Sequence, residues 1–131
     1  MKTRELARQA ARLLASQPGF TIDKNGEPLA KGYAIGGELK QEDHAMAIYS
    51  QPTNAIELAA LEDALEAKLN EISGYLEAGS YLGGWRDGES LVLDLVTVTN
   101  NRKAAADLAR SRGQLAYGAI TNYNYQEWRI N

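Results

Sequence analysis

The sequence predicts an α+β domain, in which an antiparallel sheet is covered on one side by helices, including one long helix. Three observations carry that expectation. Thr53 to Ala78 holds the longest helical periodicity in the chain, with Leu58, Leu61, Leu65, Leu69, Ile72 and Leu76 recurring every three or four residues. Asp87-Gly88 stands between two apolar runs, which is a strong short-range hairpin signal. From Tyr81 to Ile120 a strand pair, a capped helix and a further strand follow one another without a linker. At 131 residues the chain fits one domain, residues 1–131, with enough length to bury its own core.

Taken in order, the first element is a helix over Thr3 to Ser16. Leu6, Ala10, Leu13 and Leu14 form its apolar stripe, and Gln17-Pro18-Gly19 ends it. Arg4, Arg8 and Arg12 fall at i, i+4 and i+8, along one side. Phe20 to Asp23 and Lys31 to Gly36 read as short strands around Asn25-Gly26-Glu27-Pro28, which predicts a hairpin. Glu38 to Asp43 is polar and loop-like, and Ala45 to Tyr49 reads either as a third strand or as the end of a helical turn. Thr53 or Asn54 caps the long helix and Gly79 closes it. Gly74 is a candidate interruption, because glycine costs about 1 kcal/mol relative to alanine inside a helix.

The central hairpin runs from Tyr81 to Trp85, turns over Arg86-Asp87-Gly88-Glu89 and returns over Leu91 to Val98. Leu91, Leu93 and Leu95 point to one face of the returning strand, and Val92, Asp94, Val96 and Val98 to the other, so both faces are covered. Thr99-Asn100-Asn101 offers N-cap side chains to a helix over Arg102 to Arg112, and Gly113 supplies its left-handed end. Gln114 to Ile120 and Tyr125 to Ile130 flank Asn122-Tyr123-Asn124 as a terminal hairpin.

Composition narrows the chemistry. With 44% hydrophobic and 24% charged residues, the chain is that of an ordinary soluble globular protein, and no leader or membrane span is visible. A cytoplasmic location is expected. There is no cysteine, hence no disulfide, thiolate nucleophile or sulfur-bound zinc, and His44 is the sole histidine. It sits beside Glu42 and Asp43 and reads as a surface residue rather than a proton shuttle. No metal site, cofactor or catalytic set is expected. A net charge of −3 speaks against a dominant phosphate-binding surface.

Several features invite a functional reading beside a structural one. Gly32 to Gly37 and Gly79 to Gly88 lack the Gly-Lys-Ser/Thr ending of a phosphate-cradling loop, so turns and bulges explain them. Asp94 is the one acid in an apolar strand. It reads first as a hydrogen-bond acceptor pinning the hairpin or the Thr99 to Asn101 cap, and second as an acid or base. Tyr117, Tyr123, Tyr125 and Trp128 suit core and sheet edges better than base stacking, since only Arg129 is basic nearby. Charge is segregated. The long helix carries six acids against Lys68, while Arg4, Arg8 and Arg12, and the Arg102 to Arg112 helix, are basic. Attraction between these faces, within one chain or between protomers, explains this more simply than a basic partner does.

The pattern Gly83-Gly84-Trp85, Leu93-Asp94, an Ala-rich helix and Gly113-Gln114-Leu115-Ala116 resembles uncharacterised small proteins of actinobacterial phages and mobile elements. Gly19-Phe20-Thr21-Ile22-Asp23 and Gly32-Tyr33-Ala34-Ile35-Gly36 extend it weakly upstream. The resemblance implies an origin and no particular activity. The function expected is that of a non-enzymatic accessory protein binding another macromolecule, a host defence component being one version. One alternative is a nucleic-acid-binding module on the basic helices, using Arg4, Arg8 and Arg12 with Arg102, Lys103, Arg110 and Arg112. Another is a ligand-binding or hydrolytic protein using Trp85, Arg86 and Asp94, for which a deep pocket beside Asp94 is the telling observation. A homodimer through Leu58, Leu65 and Ile72 is expected if part of that apolar stripe stays exposed.

Overall fold

The computed structural model describes residues 1–38 and 47–130. These hold three helices, α1 (Thr3–Ser16), α2 (Ala55–Glu77) and α3 (Arg102–Ser111). The strands are β1 (Gly19–Ile22), β2 (Lys31–Ile35), β3 (Ala47–Ser50), β4 (Tyr81–Asp87), β5 (Ser90–Thr99), β6 (Ala116–Thr121) and β7 (Asn124–Arg129). All seven join one antiparallel sheet of order β1-β4-β5-β2-β6-β7. The long strand β5 pairs with β4 along one edge. Its other edge is shared, with β3 beside Ser90 to Leu93 and β2 beside Thr97 to Thr99.

The sheet curls until its two ends meet. A Cβ placed on Gly19 of β1 would lie 2.6 Å from the Tyr125 ring of β7. The two faces of the curl differ in what covers them. Leu91, Leu93 and Leu95 point outward with Phe20, Ile22 and Leu82, and all are buried under Leu6, Ala10 and Leu14 of α1 and Leu61, Leu65, Leu69, Ile72 and Leu76 of α2. Farther along the same face, α3 lays Ala105 and Ala109 on Ile35 and Tyr117. The inner face carries Val92, Asp94 and Val96, and a smaller cluster of Ala34, Val96 and Ile120 packed with Tyr125. All three helices thus lie on the outer face.

Local chemistry fixes the element ends. Asn54 Oδ1 accepts the Glu57 N–H at 2.9 Å and Asn101 Oδ1 accepts the Ala104 N–H at 2.9 Å, the N-cap bonds that close α2 and α3. Gly113 ends α3 at φ 69°. Helix α2 runs through Gly74 without a break. Asn122 and Tyr123 turn β6 into β7 with φ of 50° and 67°, a left-handed pair matching the twist of a tight hairpin. The Tyr123 N–H, bonded to the Ala30 carbonyl at 3.0 Å, holds that turn.

Two expectations change here. The hairpin expected around Asn25-Gly26 does not form. The Asp23 carboxylate accepts the Asn25 and Glu27 N–H groups, both at 2.9 Å, and turns the chain, but only a single bridge, Ile22 to Pro28, joins the two sides. β1 instead pairs with β4, and β2 with β5 and β6. The condition for a dimer on the α2 stripe is likewise unmet at two of its three residues. Leu65 and Ile72 are 0% and 2% exposed within a single chain, because α1 and the sheet cover them, and Leu58 is half-buried.

Of the two readings of Ala45 to Tyr49, the strand is correct from Ala47 onward, and Ala45, with the loop of residues 39–43 and His44, lies outside the described residues. Among the described residues no helix is long and apolar enough to cross a membrane.

Candidate functional site

Glycine is placed on the inner face where neighbouring side chains need its space. Gly36 and Gly83 are both buried there, and a Cβ on Gly36 would stand 2.6 Å from Asp94 Oδ2. On Gly83 it would stand 2.6 Å from Val96 Cγ1, and on Gly118 it would run into the Tyr125 ring. The same face of the curl holds a half-open cavity of about 440 Å³. That is within the usual range of small-molecule pockets. Its walls are Gly36, Gly83, Gly118, Ala34 and Val96. Trp85, Gln114, Leu115, Ala116 and Tyr125 line the rest, with Arg86, Asp87, Glu127 and Arg129 among the charged groups.

A row of three residues crosses the floor of this face. Thr21, Gly83 and Asp94 stand opposite one another on β1, β4 and β5, so their side-chain positions share the inner face. Thr21 is 5% exposed and Asp94 2% exposed. Thr21 Oγ1 and Asp94 Oδ1 have no hydrogen-bond partner among the described residues. Such orphaned buried groups are uncommon and costly. Thr21 lines the cavity itself, whereas Asp94 stands behind the Gly36 wall.

Asp94 is held at the exit of β2. Its Oδ2 accepts the Gly37 N–H at 2.9 Å, so the acid pins β2 to β5 rather than the β4–β5 hairpin or the α3 cap. Burial raises its pKa above the usual aspartate value. The N–H groups of Gly37 and Leu95 and the Arg112 guanidinium pull it back down, and Glu38 adds to the rise. Arg112 donates to the Ile35 and Gly36 carbonyls, each at 3.2 Å, and to Thr97 Oγ1 at 2.8 Å. The Thr97 hydroxyl donates to Glu38 at 2.9 Å, and Ser80 donates to the other Glu38 oxygen. This network is structural in its reach, tying β2, β5, α3 and the α2–β4 connection together.

The remaining residues singled out by the sequence separate into different places. Trp85 is half-buried on the inner face and lines the cavity. Arg86 reaches back to α1, where its Nε donates to the Leu14 carbonyl at 2.9 Å and Nη2 donates to the Ala15 carbonyl, capping the negative end of that helix. Arg4 meets Asp63 at 2.5 Å, Glu66 at 2.9 Å and Glu62 at 3.8 Å, and Arg8 meets Glu62 at 3.7 Å. The basic side of α1 therefore faces the acidic side of α2 within one chain. Arg12 lies on the same helix, in none of these pairs.

The C-terminal aromatics divide between the faces. Tyr117 and Trp128 join Tyr33 beneath α3, with ring centroids 6.0 to 6.3 Å apart, and the Arg102 guanidinium lies 4.1 Å over Trp128. Tyr125 turns inward, where burial, helped by Glu127, pushes its pKa up to about 12. Tyr123 is exposed at the turn. Thr21 and Gln114 are the site residues that sequence reasoning passed over. Their only signal was adjacency to glycine-rich segments, since register across three strands is not written in either segment alone.

Among the described residues Asp94 has no titratable hydrogen-bond partner and does not line the cavity, and no three His, Asp or Glu side chains gather as metal ligands. What the arrangement offers is a flat-walled cavity with an indole, an amide and a buried hydroxyl. Comparisons with family models, with curated proteins and with solved structures give no match.

Proposed function

We propose that this protein acts by binding rather than by catalysis, and that its site is the cavity inside the curl. The observation that carries this reading is convergence. Residues of segments far apart in the chain, Thr21, Gly36, Gly83 with Trp85, and Gln114 with Leu115, line one cavity. The test is an amide-resolved NMR titration with a library of small soluble fragments, beside the variant Ala116→Phe, which fills the cavity. Saturable shifts at the lining residues in wild type, lost in a still folded Ala116→Phe, are expected. Shifts that map elsewhere, or survive the filling, overturn the proposal.

A second reading is the accessory protein of a phage or mobile element that meets another macromolecule, a host defence component among the candidates. Leu115 favours it, being 76% exposed at the cavity rim where a partner would cover it. Affinity capture from the native host with wild type and Leu115→Glu tests it. A specific partner lost with the charge supports the reading, and identical captures remove Leu115 from it. The nucleic-acid alternative is less well supported, since Arg4 and Arg8 are engaged by the α2 carboxylates.

A further inference from the structure

β7 ends the sheet, and its outer edge pairs with no strand among the described residues. The Ile130 N–H bonds the Leu115 carbonyl at 2.9 Å, and alternate residues bond across an antiparallel ladder, so Gln126 and Trp128 also turn their backbone groups to β6. Those of Glu127 and Arg129 point the other way. They meet no partner among the described residues. β1 covers only the start of this edge, where Gly19 stands between Trp85 of β4 and the Tyr125 ring. The Pro18 carbonyl accepts the Arg86 N–H at 3.1 Å, and the chain before it leads back to α1. Past that point the cavity lining passes from Arg86, Asp87 and Gly88 to Glu127 and Arg129, and neither Gln17 nor Pro18 lines it. β1 has four residues where β4 has seven and β7 six, so the gap lies where a longer β1 would run.

An edge of unpaired N–H and C=O groups is completed by another extended chain. β4 bounds the far side, which admits one extended segment but not a second copy, whose β7 would bring β6 with it. Charge sets the pattern of that segment. Two residues beyond Trp85 and Tyr125, Asp87 and Glu127 flank the gap from opposite sides, both exposed and both on the inner face. Neither they nor Arg129 enter an ion pair among the described residues, and Arg86 is committed to the carbonyls of α1. A strand antiparallel to β7 meets Arg129 first and Glu127 two residues later, which matches an acid, any residue, then a base. That base also lies on the side of Asp87. We propose that the gap is a docking slot for an extended segment of a partner protein, paired antiparallel with β7 and carrying an acid opposite Arg129 and a base opposite Glu127. The side chains of that acid and base turn to the inner face, so the proposal rests on the cavity being the binding site.

Three peptides test it: acetyl-Val-Glu-Val-Lys-Val-amide, its isomer with Glu and Lys exchanged, and the first peptide N-methylated at Lys. Each is titrated into the full chain at millimolar concentrations and followed by amide NMR. The first is expected to shift Trp85, Glu127 and Arg129 saturably and to slow solvent exchange of the Glu127 and Arg129 amides. The isomer is expected to bind about tenfold more weakly, the scale of two facing charge pairs turned repulsive. Glu127→Arg combined with Arg129→Glu, both at exposed positions, is expected to reverse that preference with the fold intact. Equal binding of the two isomers to wild type overturns the charge pattern, and undiminished binding of the N-methylated peptide overturns the strand pairing. Protection of the same two amides that rises with protein concentration alone puts a second copy on the edge and overturns the peptide as occupant. If no peptide shifts β7 while small fragments still shift the cavity lining, the slot falls and the cavity stands. If neither does, both fall.

Discussion

Asp94 sits between Leu93 and Leu95, and its burial has a consequence that depends on pH. Its folded pKa is raised above the value it has in the unfolded chain, so the folded state binds more protons between those two values. Stability therefore falls as pH rises through that window, and the deficit persists above it. Asp94→Asn cannot ionise. Its stability is expected to improve relative to wild type as pH rises from about 4 towards neutrality, the ordinary aspartate range being the lower limit. Urea unfolding of both proteins across that range checks this, and a difference that stays constant with pH would sink it. Leu93 is the contrasting neighbour. Wholly buried under α1 and α2, it is expected to cost about 2 to 5 kcal/mol on truncation to alanine, and melting unchanged within a degree would contradict that. The burial of both was legible from strand alternation. Asp94's partner was not, because Gly37 lies 57 residues away and shares no local pattern with it.

At the scale of elements, α2 shows how much of a helix a sequence encodes. Its stripe of Leu61, Leu65, Leu69, Ile72 and Leu76 is buried as the periodicity required, and Asn54 caps it. Asn54→Ala is expected to cost about 1 kcal/mol. Gly74 has nothing within 4 Å of the position its Cβ would take, and it sits in unbroken helix. Gly74→Ala should then stabilise by about 0.5 to 1 kcal/mol, measured by denaturant unfolding, and a loss instead would mean that something outside this chain packs there. The α1–α2 ion pairs are only partly buried. Arg4→Ala is expected to lower the melting temperature only slightly, with the effect disappearing at high salt. Strand pairing was harder to read than helices. Asn25-Gly26 carries a hairpin signal as good as Asp87-Gly88, yet only the second is used, because β1 and β2 each find a longer partner strand elsewhere.

For the whole molecule, the class, an antiparallel sheet with helices on one side, followed from element order and amphipathic pattern. The curl did not. It arises where β1 and β7 meet across Gly19 and Tyr125, and that meeting depends on bringing opposite ends of the chain together. The same curl creates the cavity, so the candidate site was legible only as scattered glycine segments with no visible reason to converge. Burial of the α2 stripe also recasts the dimer expectation. Leu65→Glu with Ile72→Glu is expected to unfold the chain rather than dissociate a dimer, which circular dichroism and light scattering together distinguish. A folded double variant would mean that α2 is not seated on this sheet.

The pairing of β1 with β4 and of β2 with β6 has a kinetic side. Thr21 meets Gly83, and Ala34 meets Gly118, across long stretches of chain, whereas the β4–β5 and β6–β7 turns close over a few residues. Local turns cost little loop-closure entropy and long ones more, so the two C-terminal hairpins are placed to form early and the N-terminal strands to dock onto them afterwards. Weakening the β4–β5 turn should chiefly slow refolding, while weakening β1 should chiefly speed unfolding. A chain that must assemble its N-terminal third last leaves the edges of β4 and β6 unpaired for the longest time, and those edges are where aggregation during refolding would begin.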